Sequence, residues 1–281
     1  ACRRWSGALF ITVTEEGNSS VHSLTHSFTH SFTHSSLTHS FTHSLLHSLL
    51  THSLLHSLFP HARMVCRHPF TISSPPSSER LTLHIKNMGD GTFTDRLMDT
   101  KERYSLPYVQ LRVDGPYGRP VYYDEAKHLL LVAGGIGVTP LHSILMEVYN
   151  RLRTNQGVGN IKSVKLVWAV REAELLHMFD DMLDVARDNL TEVNFSFSFH
   201  ITGAESFAAL GPSHNPGERE LVDVVTSFAK AGRPDLMQIG GSLPTGRDTV
   251  AMVCGPEAMI TAASDMAAYY DFTFHHEVFT F

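Results

Sequence analysis

Cysteine is scarce in this sequence: Cys2, Cys66 and Cys254 are the three in 281 residues, with no CxxC pair among them. An odd, widely spaced set gives no disulfide framework and no Cys-ligated metal site, and it reads as a reducing compartment. Long apolar runs are also lacking. A bilayer-spanning helix needs about 18 consecutive apolar residues, so the sequence as it stands is expected not to cross a membrane. Basic excess is missing too: the net charge is -6 and the pI near 6.3, which argues against a surface that tracks a nucleic-acid backbone. Neither the Walker lysine pattern nor the GxGxxG fingerprint occurs.

What is present divides into three parts. Residues 22–61 are a near-repeat of Thr-His-Ser-Leu/Phe holding ten of the nineteen histidines. The tetranucleotide ACTC, read continuously, encodes that string. A metal-binding His ladder and an interfacial amphipathic helix are alternatives. A four-residue repeat advances about 400° around a helix, however, so each histidine column drifts. Residues 1–62 are therefore read as a low-complexity tract that builds no domain.

Residues 63–123 carry short strand patterns, Leu81–Lys86 with period two and Tyr108–Val113, between Gly, Pro, Ser and Asp punctuation; this predicts a partial antiparallel barrel. From 124 to 281 the rhythm changes. Leu129–Ala133 is a continuous apolar run ending on Gly134, the pattern of a buried parallel strand. Further strands are predicted at Val164–Val170, Val193–Ile201, Val250–Val253 and Phe272–Phe279. Helices are predicted at Pro140–Leu152, Glu172–Asp188, Glu218–Ala231 and Pro256–Ala268. Alternating strand and helix implies a doubly wound parallel sheet, so the fold class is α+β followed by α/β. Such sheets bind ligands at the carboxyl ends of their strands, where Gly134, Arg171 and Cys254 fall.

Gly134-Gly135-Ile136-Gly137-Val138-Thr139-Pro140 sits between the first strand of that sheet and its helix. Its glycines let backbone N–H groups approach a pyrophosphate at a helix N-terminus; a tight turn with no ligand is the alternative. His68-Pro69-Phe70-Thr71, Gly115-Pro116-Tyr117-Gly118, Cys254-Gly255-Pro256 and a terminal Phe281 stand around it in a fixed order.

In that order the strings resemble the ferric reductase and NADPH oxidase branch of the ferredoxin-reductase superfamily, over about His68 to Phe281. The resemblance implies an FAD-binding barrel followed by an NAD(P)-binding domain, and an NAD(P)H:acceptor oxidoreductase passing hydride from NADPH to FAD. It implies that His68, Pro69, Phe70 and Thr71 place the flavin, with Lys86 at its phosphates; a solvated lysine is the alternative, because Gly91 stands where the branch commonly has an aromatic. It implies that Gly134, Gly135, Gly137, Val138, Thr139 and Pro140 grip the nucleotide pyrophosphate. Arg171 and Arg233 would reach a 2′-phosphate, which favours NADPH over NADH; two surface arginines are the alternative. Cys254, Gly255 and Pro256 would lie beside the nicotinamide, and Phe281 would cover the flavin.

The resemblance further implies an electron acceptor in a haem-bearing membrane domain outside this sequence, and a position on the cytosolic face of a membrane. The first half of the flavin barrel is expected upstream of His68, where the repeat stands, so weak FAD retention is expected. A catalytically silent nucleotide-binding fragment is the alternative function, and a soluble reductase serving a partner protein is a third.

Overall fold

The computed structural model describes residues 8–13, 67–95, 111–118, 121, 123, 125–179, 181–188, 190–204 and 227–277. The Thr-His-Ser repeat and Phe281 lie outside these residues.

Two sheets form. The first is antiparallel: β1 (Ala8–Val13) lies between β2 (Arg67–Thr71) and β3 (Leu111–Tyr117), with Ala8 opposite Thr71 and Tyr117. The sequence reading assigned no part of 1–62 to this sheet. Instead, Ala8–Val13 pairs with the strand carrying His68-Pro69-Phe70-Thr71 along its whole length.

The second sheet is parallel and six-stranded. Its strands are β4 (His128–Gly134), β5 (Ser163–Val170), β6 (Asn194–Ile201), β7 (Ala229–Ala231), β8 (Thr249–Cys254) and β9 (Thr273–Glu277), in the spatial order β7-β6-β5-β4-β8-β9. Strand order reverses beside β4, since β5 lies on one side of it and β8 on the other. In open sheets of this kind the ligand crevice lies at that reversal, outside the carboxyl ends of the strands.

The apolar run at the head of this sheet explains its central strand. Leu129, Leu131 and Ala133 feed one core, while Leu130 and Val132 feed the other. All five are fully buried. A strand covered on both faces reads as continuous apolar sequence. The first face is covered by α1 (Val138–Arg153) and α2 (Asp181–Arg187). The second is covered by α3 (Leu236–Gly241) and α4 (Glu257–Tyr269). Two 3-10 turns, η1 (Gly135–Gly137) and η2 (Ala173–Phe179), precede α1 and α2.

Three expected elements differ. In place of one helix at Glu172–Asp188 stand the 3-10 segment η2 and the seven-residue α2. Leu81–Lys86 forms an isolated bridge, Leu83 to Ile72, rather than a ladder strand. Hydroxyls take the backbone groups that a ladder would use: Ser73 Oγ donates to the Thr82 carbonyl at 3.0 Å and Thr82 N–H donates to Ser74 Oγ at 3.0 Å. Ser and Thr side chains compete with sheet bonds in this way. Of the helix expected at Glu218–Ala231, residues 218–226 lie outside the description, and Ala229–Ala231 is the edge strand β7, paired to Phe199–Ile201. Short apolar stretches are ambiguous between helix and strand, and the open edge of β6 decides this one.

Leu131→Ala removes a fully buried side chain from the central strand. The expected loss of unfolding free energy is about 2–5 kcal/mol, measured by urea titration. A loss under about 1 kcal/mol would contradict the placement of Leu131 in the core.

Candidate functional site

Gly134 ends β4, Ala169 lies opposite it on β5, and Cys254 ends β8 one register step below. The turns that leave β4 and β8 are in contact. A Cβ on Gly134 would sit 2.5 Å from Pro256 Cδ, and one on Gly137 would sit 2.5 Å from the Cys254 carbonyl oxygen. A Cβ on Gly255 would meet the Gly134 backbone nitrogen at 3.0 Å. Three of the four glycines in Gly134-Gly135-Gly137 and Gly255 are thus required by close backbone packing. Gly135 is different: its φ is +55°, a left-handed conformation, and an added Cβ meets open space. Trp168, buried on β5, donates its Nε1–H to the Gly135 carbonyl at 2.8 Å and holds the turn in that conformation.

Val138, Thr139 and Pro140 make up the first turn of α1 and are buried. Neither η1 nor α1 has a side-chain cap at its N-terminus, so those positions leave N–H groups for a ligand.

A cavity of about 1040 Å³ opens at this edge of the sheet. Gly134, Gly135, Arg171, Arg233 and Pro256 line it from the parallel-sheet module, and Lys86 lines it from the other module. Both arginines and Lys86 are exposed. Six of the candidate residues therefore share one cavity. Sequence reasoning missed an apolar wall of Leu175, Met178, Leu236, Met237 and Met259. Methionines at irregular spacing carry no motif signal; α3, whose N-cap is Asp235, places two of these side chains.

Cys254 is fully buried and is not part of the cavity lining. Strand parity sends its side chain into the α1-side core, beneath Gly137. Burial, with the Glu277 carboxylate adding to it, pushes its thiol up to about 12. A thiol held neutral in this way is a packing group. Gly255 is half-buried between Gly134 and Met259. Phe281 lies outside the described residues.

His68, Pro69 and Phe70 are half-buried on β2, and Thr71 is buried. The His68 ring stacks on Phe93 at 3.9 Å between centroids, and Phe70 lies 6.1 Å from the same ring. Phe93 comes two residues after Gly91, where an aromatic was expected and absent. It gives this strand a flat aromatic shelf that the sequence reading did not foresee.

Residues 126–268 match the family model described as the ferric reductase NAD binding domain, just over half of the chain. The chain belongs to that family. This ferric reductase-type chain also matches the FAD-binding domain model over residues 53–121. Rat (Rattus norvegicus) NADPH oxidase 3 is 28% identical over 223 residues, covering 72% of the chain and 38% of the oxidase. Respiratory burst oxidase homolog protein D of Solanum tuberosum is 31% identical over 146 residues, covering 42% of the chain and 17% of the homolog. The chain thus spans well under half the length of these relatives. Among solved structures, the CS-b5R domains of human Ncb5or superpose with a TM-score of 0.54 at 17% identity, covering 77% of the chain and 57% of that one. Amycolatopsis cytochrome P450 reductase GcoB gives 0.52 at 19% identity, covering 78% and 58%. At such identities these two likenesses speak for the fold alone. No helix among the described residues is long and apolar enough to cross a membrane.

The residues fit the two cofactors those domain families are named for. The uncapped turn at Gly135, the open face above it and two guanidiniums in one cavity suit a pyridine nucleotide. The His68–Phe93 shelf and Lys86 suit a flavin nucleotide.

Between the two modules, His84 packs 4.1 Å from Phe179 and pairs with Ser73 Oγ at 2.7 Å. Burial, then the neighbouring His142, lowers its pKa from 6.5 to about 4, against Asp181 and the Met178 carbonyl, which act to raise it. Between those values the unfolded chain binds the proton and the folded chain does not, so stability rises with pH from about 4 to 6.5 and His84 adds no slope above.

Two tests follow from this geometry. Gly137→Ala forces a methyl group against a backbone carbonyl and is expected to cost about 1–3 kcal/mol, read from urea unfolding; a neutral substitution would contradict the contact with Cys254. His84→Gln is expected to flatten the rise in melting temperature between about pH 4 and 6.5; an unaltered profile would show that His84 does not titrate as described.

Proposed function

We propose that this chain is an NADPH-dependent flavin reductase module, in which residues 124–281 bind the pyridine nucleotide and residues 63–123, with Ala8–Val13, hold FAD. The observation that carries this reading is one cavity at the strand-order reversal, lined by Gly134, Gly135, Arg171, Arg233 and Pro256 and by Lys86.

In this mechanism the N–H groups of the Gly135–Gly137 turn would hold the nucleotide pyrophosphate at the positive end of α1. Trp168 keeps the Gly135 peptide oriented, and Cys254 supports Gly137 from below. Arg171 and Arg233 receive the 2′-phosphate, which two planar guanidiniums can grip bidentately. Gly255 and Pro256 bound the nicotinamide end, and the methionine wall excludes water there. Pro69, Phe70 and Thr71 flank the flavin, His68 extends the shelf, and Lys86 neutralises its phosphates. By the resemblance, Phe281, which lies outside the described residues, would cover the flavin face and yield to nicotinamide. FAD, when bound, accepts a hydride and releases electrons singly. The acceptor would be a haem in a membrane domain, with the module on the cytosolic face. The resemblance to NADPH oxidases supports that acceptor.

The chain supplied with FAD is expected to reduce cytochrome c or a dye faster with NADPH than with NADH. Arg171→Ala and Arg233→Ala are each expected to raise KM for NADPH tenfold or more, the effect of losing a hydrogen bond to a charged group worth about 1.5–3 kcal/mol, with little change for NADH. Equal use of both nucleotides would remove the 2′-phosphate assignment, and no reduction with either would sink the function.

A further inference from the structure

One face of α1 carries polar residues where a core helix ordinarily carries apolar ones. His142, Ser143 and Glu147 are between 2% and 7% exposed, and each bonds the segment that follows the His68–Thr71 strand. His142 Nδ1 donates to the Ser73 carbonyl at 2.7 Å, Ser143 Oγ donates to the Ser74 carbonyl at 2.8 Å, and Glu147 Oε2 accepts from Ser77 N–H at 2.9 Å. The other ring nitrogen of His142 faces Asp181 Oδ1 at 2.8 Å. Burial works to raise the Asp181 pKa, but the hydrogen bond and charge of His142, with His84, outweigh it and leave the carboxyl lowered.

A single imidazole therefore ties three parts together. They are the loop after the flavin-side strand, the helix that begins at the glycine turn, and the start of α2, just after the η2 segment whose Leu175 and Met178 line the cavity. Apolar contacts are non-directional and let surfaces slide. Hydrogen bonds at these distances fix direction as well as separation.

We propose that His142, Ser143, Glu147 and Asp181 form a positioning clamp that fixes the 73–77 segment, and with it β2, relative to the nucleotide turn, so that the separation of the two cofactor sites is set by α1. This rests on the reductase reading above. None of the four residues lines the cavity, so they act through the backbone they hold.

The test has two arms, both on the whole chain. Amide hydrogen exchange, without cofactor, reads the clamp directly at Ser77, whose N–H donates to Glu147 Oε2, and reads the opening of the held segment at Ser73, whose N–H donates to the Thr82 carbonyl. His142→Gln, Asp181→Asn and Glu147→Leu are expected to accelerate it roughly tenfold or more through local opening, and Glu147→Gln, which keeps an acceptor, to restore it. Stopped-flow reduction of added FAD by NADPH reads the consequence. The rate constant is expected to fall about tenfold or more in the same three variants, since small misplacements are costly to transfer steps, while NADPH dissociation constants from fluorescence titration stay within about twofold.

Unchanged exchange in all three variants would overturn the clamp whatever the flavin does. Unchanged reduction rates, or nucleotide affinity lost in step with rate, would overturn its positioning role. Failure of the unaltered chain to reduce flavin at all would instead sink the reductase reading and the positioning role with it, and leave the clamp to the exchange arm. If a His142 variant does not fold, the Glu147→Leu and Glu147→Gln pair decides the matter.

Discussion

The contact on which the site depends is backbone against backbone: the turn leaving β4 and the turn leaving β8 approach so closely that no Cβ fits at Gly134, Gly137 or Gly255 without displacement. That approach exists because β4 and β8 are adjacent and parallel, which brings their carboxyl ends to one level. Of the four glycines in the two turns, it leaves Gly135 alone facing open space, with its carbonyl held by Trp168. The chemistry assigned to the edge of the sheet is therefore prepared by packing beneath it. Cys254 belongs to that packing, as its complete burial and raised pKa indicate.

The two modules meet through a different kind of contact. Where the parallel sheet is assembled from alternating apolar residues that serve two cores, the junction is built from serines, two histidines and two carboxylates on directional bonds. A buried polar network of this sort is costly unless every member finds a partner. Here the buried His142, Ser143 and Glu147 bond backbone groups of Ser73, Ser74 and Ser77, and the half-exposed Asp181 takes the second nitrogen of His142, so the network specifies position.

Much of the parallel sheet was legible in the sequence, because Leu129–Ala133 and Val164–Val170 are buried on both faces and a continuous apolar run is the direct signature of that burial. The glycine turn and Arg171 were legible for the same reason: their place at strand ends follows from where the runs stop, whereas Arg233 was singled out by the resemblance alone, because the strand before it reads as helix. Leu81–Lys86 misled because its period-two pattern is that of a strand, while the Ser73 and Ser74 hydroxyls bond the Thr82 backbone carbonyl and N–H. Ala229–Ala231 misled because an edge strand of three residues has no period of its own. The junction was not legible at all. His142 reads as an ordinary helical residue, and its role depends on a loop sixty-nine positions away.

One architectural detail reaches beyond the site. Ala8–Val13 is the middle strand of the antiparallel sheet, bonded on both sides to strands that lie beyond residue 66. The two outer strands do not touch each other through backbone bonds; they are joined by an intruder from the opposite end of the sequence. A proteolytic nick anywhere between Val13 and Arg67 would leave that strand held to the sheet by its ladder bonds. Its loss would expose two raw edges at once and offer the flavin-side module as a template for another chain.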